Sequence, residues 1–291
     1  MIAGLVILPL TLGGWGGVLD PKGPIGDSNG LILLNSLEIM LVIVVPTIIA
    51  AIAFAWWYRT SNTRAVYRPD FAYSGRVELI VWSIPILVVL FLSGVIWIGS
   101  HALDPARPIR SPYNPLPVQV VSLDWKWLFI YPNQGIASVN ELVVPTGIPV
   151  HFRLTSGTVM NNFFVPQLGS MIATMNGMVT QLHLQADHPG DYYGLSTQYS
   201  GSGFSDMHFT VHAISPEAFS AWTSSVRNVG PVLDRSTYDE LNRPSVARRP
   251  FTYGAIDPEL FNAIVTQQIP PGPGPETGGT APRTLRPVAG G

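Results

Sequence analysis

The chain of 291 residues contains no cysteine. This absence excludes disulfide bonds, iron–sulfur clusters, thiolate metal sites and cysteine nucleophiles. Charge is also scarce, because charged residues make up 12% of the chain, where about a quarter is usual for soluble domains. Part of the chain is therefore expected to avoid water. The net charge of −2, without a basic stripe, gives no indication that the protein binds nucleic acid.

Sequence motifs of common enzyme chemistry are absent as well. The chain has no GxSxG nucleophile elbow, HExxH zinc motif, Gly-rich phosphate loop or paired-carboxylate pattern. The GSGF segment at 201–204 does not follow the spacing of a dinucleotide or phosphate loop. No hydrolytic or nucleotide-binding activity is predicted for this chain.

Two long apolar runs are present, at residues 37–58 and 79–99. Each has about the 20 residues that a helix needs to cross the hydrocarbon core of a bilayer. Two buried helices of a soluble core are the alternative, but two such runs with aromatic ends are hard to bury in a chain of this length. The sequence predicts a transmembrane hairpin over residues 28–100. The aromatic residues near the ends, where a membrane interface would lie, are Trp56, Trp57, Tyr58, Trp82 and Trp97.

The link between the two runs carries more basic than acidic residues. Because basic loops stay on the cytoplasmic side, the link is expected there, with the N-terminal segment and everything after the second run facing outward. Residues 1–12 are apolar but too short to span a bilayer, and residues 1–18 are a possible signal segment. The link contains Arg59, Arg64, Arg68 and Arg76 against Asp70 and Glu78.

The pattern changes after the second run. Residues 117–215 contain short, β-rich segments broken by Pro, Gly and Asn, several of which alternate with period two. Such spacing predicts a small antiparallel sandwich or barrel. Residues 216–268 are predicted to form a C-terminal helical segment rich in aromatic residues, and residues 269–291 a Pro- and Gly-rich disordered tail.

Histidines are the first candidates for a metal site. His208 and His212 share one face of a predicted strand, opposite Met207 and Phe209. Their Cα atoms would lie roughly 13 Å apart, which is too far for one ion to bridge easily. Surface positions on the strand are therefore expected for both. His183 and His188 flank a turn and have no third ligand near them in sequence. His151 is interpreted as a surface or hydrogen-bonded strand residue, and His101, just after the second run, as an interfacial residue.

Glu38 and Glu78 are the carboxylates nearest the membrane core, and such residues are candidates for function. Both lie at predicted helix ends, where water can reach them. Glu38 is interpreted as an interfacial charge. Glu78 stands at the N-terminus of its helix, where an anion is favoured, so the residues alone favour a structural role for it.

Two helices with a basic internal link, followed by an external β domain, resemble subunit II of haem–copper respiratory oxidases. The resemblance implies an α+β membrane protein in which the β domain is a cupredoxin-like sandwich. In the cytochrome c oxidases of this family, that domain holds a two-copper centre. Its ligands follow the pattern C-x-E-x-C-x3-H-x2-M, with another His well before it. The stretch LSTQYSGSGFSDMHF at 195–209 corresponds to that ligand loop.

Only one ligand position of this pattern keeps a ligating residue, Met207. Thiolates are the groups that select copper, and hydroxyl and phenyl groups do not replace them. An accidental match is the alternative, but the loop, the early His position, the segment DWKWLFIY and both helices fall in the expected order. The lost positions are Asn161 for the early His, Ser196 and Ser200 for the two Cys, Gln198 for the Glu and Phe204 for the later His.

A copper-free subunit of this kind is typical of the bo-type ubiquinol oxidases, and the resemblance runs from about residue 19 to residue 269. The segments LDPKGPIG, VVSLDWKWLFIYPNQGIASVNE, VMNNFFVPQLGS, YSGSGFSDM and PFTYGAIDPELF carry it. It implies a complex that oxidises ubiquinol, reduces oxygen to water and moves protons outward. It also implies no cofactor in this chain, with the haems and one copper in subunit I. The expected partners are subunit I, the other subunits, ubiquinol and membrane lipid, in a bacterial inner membrane with the C-terminal domain periplasmic.

The resemblance also assigns roles to single residues. A Glu at the cytoplasmic start of the second helix is implicated in proton uptake in this family, which favours Glu78 for that role. Trp125 and Trp127 match a tryptophan motif that lies between copper and haem in copper-containing relatives, and here they are expected to pack at the subunit I interface. The alternatives are a cytochrome c oxidase subunit with a degenerate copper site, a solitary membrane-tethered binding protein, and an oxidase that uses menaquinol.

Overall fold

The computed structural model describes residues 17–66, 68–227, 229–246 and 249–274. The chain divides into two compact units, one formed by Ser28–Asp104 and the other by Met1–Asp27 together with Pro105–Gly291. Most of the possible signal segment, residues 1–16, lies outside the described residues.

The first unit is a pair of helices, α1 (Pro24–Trp57) and α2 (Gly75–Ala102). Both are long and apolar enough to cross a membrane by length and composition. Each extends beyond the apolar run that predicts it, and α1 begins at Pro24 because proline suits the first position of a helix. Gly99 is buried against Ile32, whose side chain a Cβ at residue 99 would meet. A small residue thus permits a close approach of the two helices.

The first turn of α1 belongs to the other unit. The Lys22 backbone N–H donates to the Gln167 carbonyl, and the Gly26 N–H donates to the Leu168 carbonyl. A Cβ at Gly23 would overlap the Gln185 carbonyl, so only glycine allows this approach. The segment before α1 is therefore bonded to the β-sandwich of its own unit.

The second unit is built on a β-sandwich of two sheets. The first ten strands along the chain are β1 (Leu116–Leu123), β2 (Lys126–Tyr131), β3 (Ile136–Val139), β4 (Glu141–Pro145), β5 (Val150–Ser156), β6 (Asn161–Phe164), β7 (Ile172–Thr174), β8 (Thr180–Leu184), β9 (Gly190–Ser196) and β10 (His208–Ile214). The elements after them are α3 (Pro216–Val226), β11 (Val232–Leu233), α4 (Arg235–Leu241), β12 (Phe251–Tyr253), β13 (Ala255–Ile256) and α5 (Leu260–Val265). The six-stranded sheet has the order β12-β3-β2-β1-β5-β8, and the five-stranded sheet has the order β4-β10-β9-β6-β7.

The sheets are mixed rather than purely antiparallel as predicted. Strands β1 and β5 pair in parallel, as do β4 and β10, while the neighbouring pairs in both large sheets are antiparallel. The chain leaves the first sheet at β4 and returns at β5. The parallel pairs arise from that crossover. The alternation of apolar and polar residues predicts strands but not which strands pair in parallel.

The core between the sheets is aromatic. The rings of Trp127, Phe129, Phe163 and Phe209 have centroids 5.1 to 6.4 Å apart and pack with tilted, edge-on and stacked contacts. Buried aromatic side chains of this kind supply large apolar areas and additional pair attraction. This cluster holds β2, β6 and β10 together across the sandwich.

The predicted helical segment at 216–268 is only partly correct. It contains three helices, but Phe251–Tyr253 pairs with β3 at the edge of the six-stranded sheet, and Val232–Leu233 pairs with Ala255–Ile256. Phe, Thr and Tyr favour a pleated edge when one is available. Local periodicity does not reveal that edge, since β3 lies more than a hundred residues earlier in the chain.

The boundary predicted for the disordered tail is also wrong. Ile269 is only 4% exposed and belongs to a second core on the outer side of the six-stranded sheet. Gly272 donates its backbone N–H to the Gly157 carbonyl at 2.8 Å. Residues 269–274 are therefore packed against the domain, and residues 275–291 lie outside the described residues.

Candidate functional site

The loop between β9 and β10 contains the segment that corresponds to a copper-ligand loop. It leaves β9 at Ser196, forms a short helical turn at Phe204–Asp206 and enters β10 after Met207. Strand β6 pairs with β9, with Phe163 opposite Ser196. This pairing brings Asn161, at the start of β6, beside the loop.

Four of the six predicted positions are buried and make contact in pairs. The Ser196 hydroxyl donates to the Asn161 side-chain oxygen at 3.1 Å, and the Ser200 hydroxyl lies 4.0 Å from the Met207 sulfur. The Ser196 hydroxyl also lies 3.3 Å from the Gln198 carbonyl. The loop thus forms a hydrogen-bonded cluster of neutral side chains in the domain interior.

The other two positions lie nearer the surface. Gln198 and Phe204 are half-buried, and the Phe204 ring packs edge-on against Tyr199 with centroids 5.7 Å apart. A phenyl ring has no donor atom, so position 204 cannot bind a metal. All six positions lie in or beside one loop, and they differ in how far they face solvent.

The residues present do not fit a copper centre. The donors are two hydroxyls, two amide groups and one thioether, and the buried hydroxyls are already bonded within the protein. Hydroxyls stay protonated near neutral pH, whereas copper sites use thiolate and imidazole. In the part of the chain that the structure describes, no three His, Cys, Asp or Glu residues are grouped so as to hold a metal ion.

Trp125 lies in the turn between β1 and β2, and Trp127 is the second residue of β2. Trp125 has a positive φ of 67° and its indole N–H donates to the Ser200 carbonyl at 3.1 Å. Its ring packs on Gly203, where a Cβ would overlap it. Trp127 is fully buried in the aromatic core. Because Trp125 is only 3% exposed and Trp127 is 0% exposed, neither ring is available to touch another subunit directly.

Two buried ionisable residues, Asp124 and Lys126, flank Trp125 in the chain, and the sequence pattern alone did not single them out. Lys126 is 0% exposed, and its ammonium group donates to the carbonyls of Asp124 and Arg243 and to the Ser245 hydroxyl at 2.8 to 2.9 Å. Asp124 is 1% exposed and accepts from the Thr158 hydroxyl at 2.8 Å. The signal available in the sequence is an Asp and a Lys inside the apolar segment VVSLDWKWLFIY.

Burial is the largest influence on the pKa of Asp124. Desolvation raises the pKa of Asp124 above its ordinary range, while the bond from Thr158 and the charge of Lys126 lower it. Arg243 and Ser245 follow α4, so the ammonium group joins the sandwich to the C-terminal segment. Lys126 is therefore a structural cross-link between two parts of this unit.

Glu78 lies in the first turn of α2, as the sequence predicts. Its backbone N–H donates to the Ser74 carbonyl at 3.0 Å, and its side chain is exposed. A carboxylate there interacts favourably with the positive end of the helix. This placement is compatible with both a structural charge and a proton carrier.

The expected surface positions of His208 and His212 on β10 are confirmed. The side chains of Met207, Phe209 and Val211 are buried, while His208 is exposed and His212 is half-buried. His212 bonds to the Asp191 carboxylate at 2.6 Å and lies 3.5 Å from a carboxylate oxygen of Glu141. Its two ring nitrogens thus face carboxylates on β9 and β4.

His151 and His183 are brought together although they are far apart in sequence. They are direct partners on β5 and β8, and their rings stack with centroids 4.4 Å apart. The Nδ1 atom of His183 lies 3.3 Å from the Pro105 carbonyl. A carbonyl only accepts, so Nδ1 carries the proton. Burial lowers the pKa of His183, the Pro105 bond raises it, and His151 lowers it further.

We expect the domain to lose stability on acidification through His183. A histidine with a lowered pKa contributes stability that is present above its unfolded pKa of about 6.5 and is lost as the pH falls through the folded value. His183→Asn keeps a donor near the Nδ1 position and removes the titrating ring. Thermal unfolding of a soluble fragment with residues 105–274, at about pH 7.5 and about pH 5.5, should show a smaller pH effect in this variant. An unchanged pH effect would contradict the assignment, and exposed His188→Asn is the matched control.

Comparison with known proteins agrees with this architecture. The family model for the periplasmic domain of cytochrome c oxidase subunit II matches residues 118–214, and the model for the COX aromatic-rich motif matches residues 227–272. The two matches cover the sandwich and the C-terminal segment in turn. They define the chain as a second subunit of the terminal-oxidase class.

Relatives that align over most of their length show which family within this class the chain belongs to. The chain is 49% identical to ubiquinol oxidase subunit 2 of Acetobacter aceti, covering 86% of this chain and 82% of the relative. It is 46% identical to cytochrome bo(3) ubiquinol oxidase subunit 2 of Pseudomonas aeruginosa, covering 89% and 78%. It is 35% identical to quinol oxidase subunit 2 of Bacillus cereus, covering 80% of each. The chain belongs to the ubiquinol oxidase subunit 2 family, which supports the quinol oxidase interpretation over the cytochrome c oxidase alternative.

Proposed function

We propose that this chain is the copper-free second subunit of a complex that oxidises ubiquinol, reduces oxygen to water and moves protons across the membrane. The observation that carries the proposal is the set of four buried ligand positions in and beside the loop after β9, where neutral side chains bond in two pairs, Ser196 with Asn161 and Ser200 with Met207. Electrons therefore bypass this chain and enter at subunit I, which holds the haems and the copper. A membrane-dissolved donor needs no docking site for a soluble cytochrome.

The proposed location is the bacterial inner membrane, with both helices crossing it and the β unit in the periplasm. Four arginines in and beside the link support a cytoplasmic link between α1 and α2. Apolar side chains cover the exposed surfaces of both helices, and such surfaces require lipid or a partner subunit. The helices then brace subunit I, and the sandwich caps its outer face.

The proposal is tested directly by measuring which electron donor the purified complex oxidises. We expect oxygen uptake with ubiquinol and none above background with reduced cytochrome c. Uptake with cytochrome c would contradict a copper-free route. If no haem-containing subunit co-purifies and neither donor works, the solitary binding protein is the correct interpretation. Comparing ubiquinol with menaquinol in the same assay then establishes which quinol the complex uses.

Glu78 is proposed to hand protons from the cytoplasm to subunit I. Its support is its position at the start of α2, on the side of the arginine-rich link. Glu78→Gln removes the exchangeable proton and keeps the shape, so oxygen uptake should slow severalfold while haem content stays normal. Glu38→Gln is the control because Glu38 also lies on a membrane helix. Wild-type turnover in an assembled Glu78→Gln complex would refute the proton role.

Trp125 and Trp127 are proposed to act on the subunit I contact indirectly. Trp125 supports the loop after β9 through its bond to the Ser200 carbonyl, and Trp127 fills the core beneath. The surface of the loop beside these rings, which includes the exposed Tyr199, then makes the direct contact with subunit I. Exposed aromatic residues of this kind are common anchors of interfaces.

A further inference from the structure

The link between α1 and α2 folds around a cavity of about 800 Å³. Among the described residues of the link, its lining includes three arginines, Arg59, Arg64 and Arg68, and no carboxylate. The cavity also reaches Trp57 and Phe71, at the end of α1 and shortly before α2. A basic pocket with aromatic walls therefore opens at one end of the membrane hairpin.

The three guanidinium groups differ in what they already bind. Arg59 donates to the Trp56 carbonyl at 2.8 Å and to the Ser61 hydroxyl at 3.0 Å, and it lies over the Trp56 ring at 4.7 Å. It is thus committed to the end of α1. Arg64 and Arg68 are exposed. Among residues 17–66 and 68–104, no ion pair with a carboxylate neutralises any of the three.

The link has a defined shape around these groups. The Asn62 side chain donates to the Trp57 carbonyl and accepts from the Arg64 backbone N–H at 3.1 Å. The Phe71 N–H donates to the Arg68 carbonyl at 3.3 Å, which closes a turn at the other side. One asparagine therefore ends the helix and positions the arginine that follows. These contacts fix the backbone of the link beside Arg64 and Arg68.

We propose that this pocket binds the headgroup of an anionic phospholipid. Guanidinium groups bind phosphate oxygens through paired N–H donors. Basic residues directly beside the cytoplasmic end of a membrane helix attract anionic lipids. Trp57 and Tyr58 suit the headgroup layer, where aromatic side chains concentrate. The inference rests on the proposed membrane location of the hairpin and does not depend on the electron donor.

The test uses the complete purified oxidase complex, stripped of lipid in detergent and titrated with phosphatidylglycerol or phosphatidylcholine. Native mass spectrometry counts the bound lipids. Arg64→Gln with Arg68→Gln should weaken phosphatidylglycerol binding about tenfold and leave phosphatidylcholine binding unchanged. The matched control removes two exposed arginines of the β unit, Arg110→Gln with Arg249→Gln, and should bind phosphatidylglycerol like the parent complex.

Other results would overturn the proposal. Equal weakening in both double variants would mean that general charge attracts the lipid. Full displacement by millimolar inorganic phosphate would mean a site for free phosphate. A carbodiimide cross-link from Arg64→Lys to a carboxylate of another subunit would mean that protein fills the cavity.

A second pair of measurements keeps the test decisive. If the glutamine variant does not assemble, Arg64→Lys with Arg68→Lys preserves charge and loses the paired donors, and it should bind phosphatidylglycerol severalfold more weakly than the parent complex. Binding equal to the parent would overturn the proposal. Oxygen uptake with ubiquinol, measured on the same preparations, separates this inference from the proposed function, because lipid binding and donor oxidation can fail independently.

Discussion

A chain in which the lost ligands are put back is expected to bind copper at the loop after β9. The frame for such a site is present, because the Ser196 and Asn161 side chains are already in contact and Ser200 already lies against Met207. Thiolate and imidazole groups at these positions would supply the soft ligands that copper prefers. The substitutions are Asn161→His, Ser196→Cys, Gln198→Glu, Ser200→Cys and Phe204→His, with Met207 retained.

The expected effect is a change from no specific copper to a bound centre with strong visible absorption from thiolate-to-copper charge transfer. Metal analysis and absorption spectra of a soluble fragment with residues 105–274 measure it. The matched control keeps Ser196 and Ser200 and changes the other three positions, which leaves no thiolate. A folded five-position variant that binds no more copper than this control would show that the loop lacks the frame of a copper site.

Replacing Lys126 with Met is expected to cost about 3–5 kcal/mol of folding free energy, as is typical when one charged partner is removed from a buried network. The substitution leaves the Asp124 and Arg243 carbonyls and the Ser245 hydroxyl without their shared donor. It also removes the positive charge that lowers the pKa of the buried Asp124 carboxyl. The packing of the C-terminal segment on the sandwich, near Arg243 and Ser245, should be weakened most.

The chain offers a matched control for this substitution in Lys22, its only other lysine. Lys22 forms a solvent-accessible pair with Asp20 at 2.7 Å, and water screens such pairs so that they contribute little to stability. The resistance of the β unit to urea, measured in the purified complex, and the yield of assembled complex should both fall for Lys126→Met and stay near the parent values for Lys22→Met. Similar unfolding free energies for the two variants would show that the buried ammonium is dispensable.

Prediction from sequence succeeded where the signal is local. Long apolar runs predict α1 and α2, because spanning a membrane requires only length and composition. Alternation predicts the faces of β10, with Phe209 inward and His208 outward. The order of the motifs identified Asn161 as a ligand position that belongs with the loop after β9. Prediction failed for the segment at 251–253 and for Ile269, whose places depend on a sheet edge and a second core built from distant residues.

The sequence by itself determined which chemistry this chain lacks. Without cysteine it has no thiolate, and position 204 carries a phenyl ring, so these losses follow from residue identity alone. Only the tertiary structure decided which side chains meet. Strand pairing joins Ser196 to Asn161 and stacks His151 on His183, and burial removes Trp125 and Trp127 from the surface. Contacts of this kind depend on strand order and register, which are properties of the whole fold and not of any one segment.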